Sequence, residues 1–238
     1  FSERIGQIHA AIARGETYQV NLTFRLNAAG ALDARRVFAQ LQGAQPGGYG
    51  AYLDLGDRAL ASSSPELFWR LEGETITMRP MKGTRRRGRW PAEDEALAAE
   101  LVSAAKDRAE NVMIVDMARN DLGKFARIGS VRVPALFTAE KYPTVWQMTS
   151  TVQAETAAGL GEILRACFPC ASITGAPKAS TMRLIRQLEE TPRGIYTGTI
   201  GYWAPGRRAQ FNVAIRTAVI DRAGGRLTYG VGSGIVWD

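Results

Sequence analysis

One lysine of this chain stands where it could act as a nucleophile. In the segment Arg79-Pro-Met-Lys-Gly-Thr84, Lys82 lies between a proline and a glycine, just after a predicted strand. If that loop is partly buried, desolvation lowers the pKa of the lysine and provides a neutral amine. A surface turn with a solvated ammonium group is the alternative, and the spacing alone leaves both open.

A glutamate at the start of another predicted strand could supply a proton. Glu66 follows Ser64 and a proline, and it precedes the apolar run Leu67-Phe-Trp69. Apolar surroundings raise the pKa of a carboxyl group, so Glu66 could donate a proton at neutral pH. The alternative is a glutamate at a strand edge with no chemical role.

Two further carboxylates could hold a metal ion. Asp107 and Glu110 are three residues apart on a predicted helix and therefore share one face. The chain has a single histidine, His9, so a metal site must rely on carboxylates, which favours a hard ion such as Mg²⁺. Salt bridges to Lys106 or Arg108 are the alternative use of this pair.

Two glycine-containing segments and one arginine could bind anions. Thr174-Gly-Ala-Pro177 precedes a predicted helix, whose first amide groups and dipole attract negative charge. The segment Gly230–Gly234 can bring further backbone amides close to a ligand. Arg216 lies in an apolar predicted strand and needs an anionic partner there. Each feature alone is explained by a cap or a turn, but together they predict a small molecule with two negative charges.

The elements that carry these residues predict an α+β fold. Between Tyr18 and Leu26 apolar and polar residues alternate, so Gln19 on the polar face can line a wet cleft. Hairpins outnumber βαβ crossovers, which favours antiparallel sheets, and no composition shift divides the single expected domain. Helices are expected at 3–14, 33–42, 92–122 in two pieces, 160–167 and from Pro177 to about Glu190. Strands are expected at 18–26, 48–55, 58–63, 66–72, 75–79, 130–136, 144–154, 195–203, 208–221 and 226–231.

The composition excludes several classes of protein. The 238 residues contain no apolar run near the about 20 residues that a bilayer span needs, so no membrane contact is expected. The first residues lack the features of a signal peptide, and there are only two cysteines, which together predict a cytoplasmic protein. Although the net charge is +7, the arginine run from Thr84 to Arg89 has no interleaved aromatic residues, so a solvated loop is favoured over a nucleic-acid site.

Eight segments of the chain together resemble a known family. In order they are Tyr18-Gln-Val-Asn-Leu22, Ser64-Pro-Glu66, Pro80-Met-Lys-Gly-Thr84, Asp107-Arg-Ala-Glu-Asn-Val-Met-Ile-Val-Asp116, Arg119-Asn-Asp121, Ser172-Ile-Thr-Gly-Ala-Pro-Lys178, Ala214-Ile-Arg-Thr217 and Gly232-Ser-Gly-Ile-Val236. They extend over essentially the whole chain, which resembles the chorismate-binding enzymes. The resemblance implies a four-layer α/β/β/α core with two orthogonally packed, mainly antiparallel sheets and a magnesium-dependent site between them.

The resemblance also implies a role for each candidate residue. The Lys82 amine would attack C2 of chorismate while Glu66 protonates the departing C4 hydroxyl; ammonia from a glutamine amidotransferase subunit would then add at C4 and expel the lysine. Glu110, with Asp107 behind it, would hold Mg²⁺. The implied substrate-binding residues are Gln19, Gly83, Thr84, Gln147, Thr174, Gly175, Ala176, Tyr196, Arg216, Gly230 and Gly232.

Two positions distinguish the family's members by reaction. Members that add water to the ring carry a lysine base where this chain has Gln19, and members that aminate C2 usually carry alanine where Lys82 stands. Gln147 is a departure, because it stands where members that aminate C2 have a histidine, so the contacts with the ring are expected to differ there. A lysine at position 82 resembles the members that aminate chorismate at C4 to give 4-amino-4-deoxychorismate for folate biosynthesis. Amination at C2 is the nearest alternative, and a non-catalytic domain that binds anions or nucleic acid is the alternative from another class.

Residues 1–238 correspond to the family's catalytic core. The resemblance implies that relatives also have an N-terminal subdomain and a C-terminal helix with two further metal-binding glutamates, neither of which this sequence contains. We therefore expect the core alone to have weak activity or none.

Overall fold

The computed structural model describes residues 2–30, 32–44 and 48–237. These residues form two compact units, each built around one sheet. The six-stranded unit comprises Phe1–Pro65, Pro169–Ile200 and Val213–Asp238, and the seven-stranded unit comprises Glu66–Phe168 and Gly201–Asn212. Both sheets are mainly antiparallel and both carry helices, so the predicted α+β class with two such sheets is confirmed.

The helices and strands follow one another along the chain in a mixed order. The helices are α1 (Ser2–Ala13), α2 (Ala34–Ala44), α3 (Pro91–Ser103), α4 (Ala105–Gly123), α5 (Leu160–Cys167) and α6 (Lys178–Leu188), with a short 3₁₀ turn at Ala171–Ile173. The strands are β1 (Gln19–Ala29), β2 (Tyr49–Asp54), β3 (Arg58–Ser64), β4 (Leu67–Glu72), β5 (Thr75–Met78), β6 (Met81–Arg86), β7 (Arg132–Lys141), β8 (Val145–Glu155), β9 (Gly175–Ala176), β10 (Thr199–Ala204), β11 (Arg208–Val213), β12 (Thr217–Asp221) and β13 (Arg226–Ile235).

The six-stranded sheet has the strand order β2-β3-β12-β13-β1-β9. Within it, the first residues of strand β1 alternate between an apolar and a polar side. Val20 and Leu22 of β1 pack with Ile8 of α1 and Ile185 of α6 in one hydrophobic cluster. Because successive side chains of a strand point to opposite faces, Gln19 lies on the face away from these helices. The alternation in β1 thus places Gln19 on the polar face, as predicted.

The seven-stranded sheet is organised around β8. Its order is β10-β11-β4-β5-β8-β6, and β7 pairs with the other side of β8. Helix α4 packs against β6 and β8. On β8 the side chains of Met148, Ser150, Val152 and Ala154 are fully buried, so this strand provides much of the unit's core. The strand that carries Lys82, β6, pairs with this core strand at the end of the sheet.

Most predicted elements are present, and three are corrected. The long helical stretch is two helices that meet at Ala104, as predicted. Residues 208–221, predicted as one strand, form β11 and β12, separated by a turn in which Arg216 has a φ of +49°. Residues 195–198, predicted to begin a strand, also form a turn, with Thr197 at a φ of +63°. The predicted loop at Lys82 is strand β6. Of the helices in the described chain, none combines the length and apolar character needed to cross a membrane.

Candidate active site

Lys82 lies in a β-bulge. Met81 of β6 pairs with Thr149 of β8, and Thr84 pairs with Gln147, so Lys82 and Gly83 together oppose a single residue, Met148. Such an insertion breaks the regular ladder and redirects a side chain, and it is common beside active sites. Gly83 has a φ of +95°, a conformation that favours glycine.

The bulge packs closely against the two helices behind it. A Cβ on Gly83 would lie 3.1 Å from Leu101 Cδ1, 3.2 Å from Asp107 Oδ1 and 3.2 Å from Met148 Cε. The carbonyl oxygen of Lys82 accepts a hydrogen bond from Asn111 Nδ2 at 3.4 Å. Lys82 is half-buried. The lysine is therefore part of a packed strand rather than of a mobile surface turn.

Glu66, for which the sequence left a buried position and a strand edge open, is buried. It is 5% exposed and is followed by Leu67, Phe68 and Trp69, which are 3%, 1% and 0% exposed. A carboxyl group in such a position is poorly hydrated. This is the environment that a general acid at neutral pH requires.

Asp107 and Glu110 lie one turn apart on α4, but they have different partners. Asp107 Oδ2 accepts a hydrogen bond from Arg85 Nη2 at 2.7 Å, and Arg85 Nε donates to Glu100 Oε1 at 2.9 Å. Glu110 is half-buried, and among the described residues no cation pairs with it. The partner found for Asp107, Arg85, is thus a different residue from the predicted alternatives, Lys106 and Arg108.

This donor set fits Mg²⁺ with one direct protein ligand. Mg²⁺ is usually bound through one or two carboxylates and keeps several waters. Glu110 can supply such a carboxylate, whereas Asp107 is already held by Arg85 and can act only from behind it. In the described ranges, no three His, Cys, Asp or Glu residues are grouped as a complete metal site.

Thr84 and Gln147 form a cross-strand pair beside the bulge. Thr84 Oγ1 donates a hydrogen bond to Gln147 Oε1 at 3.1 Å. The two residues are register partners on β6 and β8, so they lie on the same face of the sheet. The hydrogen bond therefore fixes the orientation of the Gln147 amide, with its oxygen towards Thr84.

Gln19 is a buried side chain with unused hydrogen-bonding groups. It is 0% exposed, and no described residue hydrogen-bonds its Nε2 or its Oε1. Its backbone, by contrast, is fixed, because its carbonyl oxygen accepts from Thr17 Oγ1 at 3.0 Å. Buried amides are normally satisfied, so a free pair of donor and acceptor points to a ligand.

In the predicted anion-binding segment, Gly175 and Ala176 form β9, and Thr174 follows the 3₁₀ turn. The amide of Tyr18 donates to the Ala176 carbonyl at 2.7 Å, and the amide of Asn21 donates to the Thr174 carbonyl at 2.9 Å. Gly175 has a φ of +140°, and a Cβ there would lie 2.0 Å from the carbonyl oxygen of Gln19. Only glycine allows the two strands to approach this closely.

Tyr196 and two glycines of β13 lie on the same unit. A Cβ on Gly230 would lie 2.1 Å from Cγ of Tyr196, and one on Gly232 would lie 2.8 Å from Thr23 Cγ2. The guanidinium of Arg25 stacks over the Tyr196 ring at 5.0 Å. Burial raises the pKa of the Tyr196 hydroxyl. The Tyr196 ring thus packs between Gly230, which has no side chain to displace it, and the guanidinium of Arg25.

Arg216 lies in a turn rather than in the predicted strand. Its carbonyl oxygen accepts a hydrogen bond from the amide of Ser63 at 3.0 Å, which joins the turn to β3. The next residue, Thr217, begins β12. The turn ends the apolar strand before Arg216, which is why the sequence pattern placed this side chain wrongly.

The arginine run after the bulge is neutralised by carboxylates of α3 and α4. Each of four arginines binds at least one acidic side chain. These pairs are Arg85 with Glu100 and Asp107, Arg86 with Glu93, Arg87 with Asp94, and Arg89 with Glu93. The predicted solvated loop is therefore an ion-paired segment, and its charge is largely compensated within the unit.

Two residues of this region were missed by the sequence analysis. Asn111 bonds the bulge backbone, and Asp94 binds both the Arg87 side chain and the Gly88 amide. Asn111 lies four residues after Asp107, hence on the same helix face, which is the signal that could have identified it. Asp94 gives no local signal, because its partners come from other elements.

Comparisons with known proteins agree with this fold. The family model for chorismate binding enzymes matches residues 1–238. An aminodeoxychorismate synthase of Streptomyces pristinaespiralis is 44% identical over 99% of this chain and 33% of its own length, and aminodeoxychorismate synthase component 1 of Bacillus subtilis (strain 168) is 42% identical over 100% and 51%. The crystal structure of anthranilate synthase component I from Streptococcus pneumoniae TIGR4 superimposes with a TM-score of 0.90 at 30% identity, over 99% of this chain and 52% of that one.

The fold is thus that of an α+β protein with two mainly antiparallel sheets, shared with a solved synthase component. The chain belongs to the chorismate-binding enzyme family. It spans about a third to a half of the length of the curated relatives that it matches.

Proposed function

We propose that this chain is the core of an enzyme that aminates chorismate at C4 to give 4-amino-4-deoxychorismate. The observation that carries the proposal is the half-buried lysine in the β6 bulge, at the position where members that aminate C2 usually carry alanine. The two relatives named aminodeoxychorismate synthase support the same reaction. The product is a precursor of 4-aminobenzoate in folate biosynthesis.

The reaction proceeds in two covalent steps. The neutral Lys82 amine forms a bond to C2, the ring double bonds shift, and the C4–O bond breaks as Glu66 gives its proton to the hydroxyl, which leaves as water. Ammonia then forms a bond to C4, the double bonds shift back, and the bond between C2 and the lysine breaks. The net change is replacement of the C4 hydroxyl by an amino group with release of water. Splitting one difficult substitution in two is the usual gain from a nucleophilic residue.

The remaining candidate residues bind and orient the substrate. We assign the enolpyruvyl carboxylate to Tyr196 and Arg216, with the backbone of Gly230 and Gly232 beside them. The ring and its carboxylate are lined by the backbone amides of Gly83 and Thr84 and of Thr174 to Ala176, and by the side-chain amides of Gln19 and Gln147.

Mg²⁺, a partner and a location complete the proposal. Bound Mg²⁺ would neutralise the ring carboxylate, and Glu110 would hold it, with Asp107 fixed behind by Arg85. The Bacillus relative is called component 1, which supports a second subunit, and we propose a glutamine amidotransferase that delivers ammonia. We also propose a cytoplasmic location, because the sequence has only two cysteines and proteins of oxidising compartments are commonly stabilised by several disulfides.

The direct test is turnover with the expected reagents. Chorismate, ammonium and Mg²⁺ are supplied together with the lyase that converts 4-amino-4-deoxychorismate, and 4-aminobenzoate is measured for this chain and for the whole protein that contains it. Without ammonia, intact-mass spectrometry should detect an adduct that maps to Lys82. Turnover without any adduct, or an adduct on another residue, would contradict the lysine mechanism.

Amination at C2 is the second candidate, favoured by the similarity to an anthranilate synthase structure. Replacing the nucleophile, Lys82→Ala, should abolish 4-aminobenzoate formation and shift the product towards anthranilate. If Lys82→Ala gives the same single product as the parent, the lysine does not select the reaction. A non-catalytic domain that binds nucleic acid would instead show DNA binding with a steep salt dependence, which the ion pairs of the arginine run argue against.

A further inference from the structure

The backbone of the Lys82 bulge is held by one buried side chain from α4. Asn111 is 1% exposed. Its Nδ2 donates to the carbonyl of Lys82 at 3.4 Å and to the carbonyl of Met148 at 3.5 Å. These two carbonyls belong to opposite strands of the bulge. The one amide group therefore bridges β6 and β8 at the place where their own ladder is interrupted.

The orientation of the Asn111 amide is fixed by a serine. Ser150 Oγ donates to Asn111 Oδ1 at 2.5 Å, and Ser150 Oγ itself accepts a hydrogen bond from the amide of Phe137 at 3.1 Å. The hydroxyl has a single proton, and Phe137 can only donate, so that proton must go to Asn111 Oδ1. The Nδ2 group consequently faces the bulge. The amide of Ser150 also donates to the carbonyl of Pro80 at 3.1 Å, two residues before Lys82.

We propose that Asn111 is a positioning residue that sets the direction of the Lys82 side chain by fixing the bulge backbone, an inference that rests on the proposed function. A bulge lacks regular ladder bonds, so its conformation depends on donors from outside the sheet. Holding the planar peptide that follows Lys82 fixes the direction of its Cα–Cβ bond. The amine can then approach the ring carbon from one direction only.

The consequence for the reaction is large because nucleophilic attack depends on geometry. A misplacement of about 1 Å can reduce a rate by about 10²-fold. Asn111 contacts Lys82 only through the backbone, so substrate affinity should change little while the rate of attack falls. A residue that merely stabilises the fold would produce no such separation.

The decisive variant is Asn111→Asp. It keeps the size of the side chain and the oxygen that Ser150 bonds, but it replaces the Nδ2 donor by an oxygen that faces two carbonyls. Ile114→Val, on the same helix and 2% exposed, is the matched control, since it perturbs the packing of α4 without touching a hydrogen bond to β6.

The first readout needs no substrate. An amine-selective acylating reagent is applied to the folded protein, and peptide mass mapping gives the labelling rate of each lysine; Lys106, Lys124, Lys141 and Lys178 are internal standards. In Asn111→Asp the rate at Lys82 should change severalfold relative to the standards, and in Ile114→Val it should not. An unchanged ratio in a folded Asn111→Asp variant would overturn the proposal.

The second readout is kinetic. With chorismate and ammonium, Asn111→Asp should lower kcat by about 10²-fold with little change in KM. A rise in KM at constant kcat would also overturn the proposal. If no preparation turns over chorismate while the labelling ratio still changes, the positioning role stands and the proposed function fails, so the two failures are distinguishable.

Ser150→Ala decides the matter if Asn111→Asp does not fold. It leaves Nδ2 in place but removes the bond that orients the amide, so the labelling ratio and kcat should change in the same direction by smaller factors. An effect on all lysines together would indicate general loosening and count against a specific role.

Discussion

The two units prepare their functional residues by different physical means. In the seven-stranded unit, the segment around Lys82 is held by hydrogen bonds and charge, through Asn111 and through arginines that each bind a carboxylate. In the six-stranded unit the candidate residues are held by close packing. Added Cβ atoms on Gly175 and Gly230 would lie only 2.0 and 2.1 Å from neighbouring atoms, which shows how little space there is.

The difference follows from the regularity of the strands. Strands β1 and β13 pair without interruption from Val20 with Ile235 to Ala29 with Arg226, so that ladder holds itself and only side-chain volume can disturb it. Strand β6 breaks its ladder at Lys82, and a broken ladder needs side chains to replace the missing bonds. The seven-stranded unit, called the reactive unit below because it carries the proposed nucleophile, should therefore respond most to lost hydrogen bonds. The six-stranded unit, called the binding unit because it carries most of the proposed substrate-binding residues, should respond most to added volume.

The largest effect is expected from adding volume in the binding unit. Gly175→Ala places a Cβ 2.0 Å from the Gln19 carbonyl at a φ of +140°. We expect the free energy of unfolding to fall by about 3–5 kcal/mol, because a backbone atom cannot move aside as a side chain can. Urea unfolding measures the loss.

The matched control is Gly6→Ala in α1. Gly6 lies in a helix interior with nothing within 4 Å of the added Cβ, so the substitution should raise the free energy of unfolding by up to about 1 kcal/mol. If the free energy of unfolding of Gly175→Ala lies within about 1 kcal/mol of that of the parent, close packing does not stabilise this unit.

The same substitution in the reactive unit should have a smaller effect on stability. In Gly83→Ala the nearest atoms are side-chain ends at 3.1 to 3.2 Å, which can shift, so the main cost is the φ of +95°, about 1–3 kcal/mol. Because Gly83 belongs to the bulge, the loss of activity should exceed what the loss of stability explains. Unfolding and turnover of the same preparation show whether it does.

What the sequence predicted well is what neighbouring residues determine. The period-two pattern of β1 placed Gln19 opposite the core, and Asp33 was correctly chosen to begin α2, where its Oδ1 accepts from the amides of Arg35 and Arg36. The apolar run after Glu66 suggested burial as one of two alternatives, and the structure selects it. Each of these depends on a few consecutive residues.

What the sequence could not predict depends on distant partners. The bulge at Lys82 exists only relative to the register of β8, which begins more than fifty residues later in the chain, at Val145. Arg85 looks like free surface charge until α4 brings Asp107 to it. The turn at Arg216 interrupts a pattern that is apolar throughout. The sequence therefore identified the candidate residues of the site, but it could not predict their partners or their backbone geometry.

Acid should weaken the reactive unit through Asp94. The pKa of Asp94 lies well below its ordinary value, because Arg87 donates to it and the Gly88 amide and the Trp146 indole add further hydrogen bonds. A depressed carboxyl pKa gives stability that is complete above the unfolded value of about 4 and is lost as pH falls below it. Asp94→Asn should therefore show a smaller decrease in unfolding free energy between about pH 5 and pH 3 than the parent.

The control for Asp94 lies in the other unit. Asp54 has a pKa of about 2 because Arg222 hydrogen-bonds it. Asp54→Asn should also reduce the acid sensitivity of unfolding, but only Asp94→Asn should alter the labelling of Lys82, since Asp94 anchors the end of the segment that carries it. Equal labelling changes in both variants would remove the distinction between the units.

The smallest expected effect concerns Gln19, whose side-chain amide has no hydrogen-bond partner among the described residues. Gln19→Met keeps the volume and removes a buried amide that no described residue satisfies, so the unfolding free energy without ligand should rise by about 1 kcal/mol. Gln187→Met on the exposed face of α6 is the control and should stay within about 0.5 kcal/mol of the parent.

Chorismate should reverse the order of the two proteins. A ligand at 100 times its Kd adds about 2.7 kcal/mol to a folded protein that binds it at one site. The parent should gain this stabilisation and Gln19→Met should gain less, because the amide is then the group that meets the ligand. If chorismate raises the unfolding free energy of Gln19→Met as much as that of the parent, the Gln19 amide does not contact the ligand. Any binding role of β1 then rests on its backbone alone.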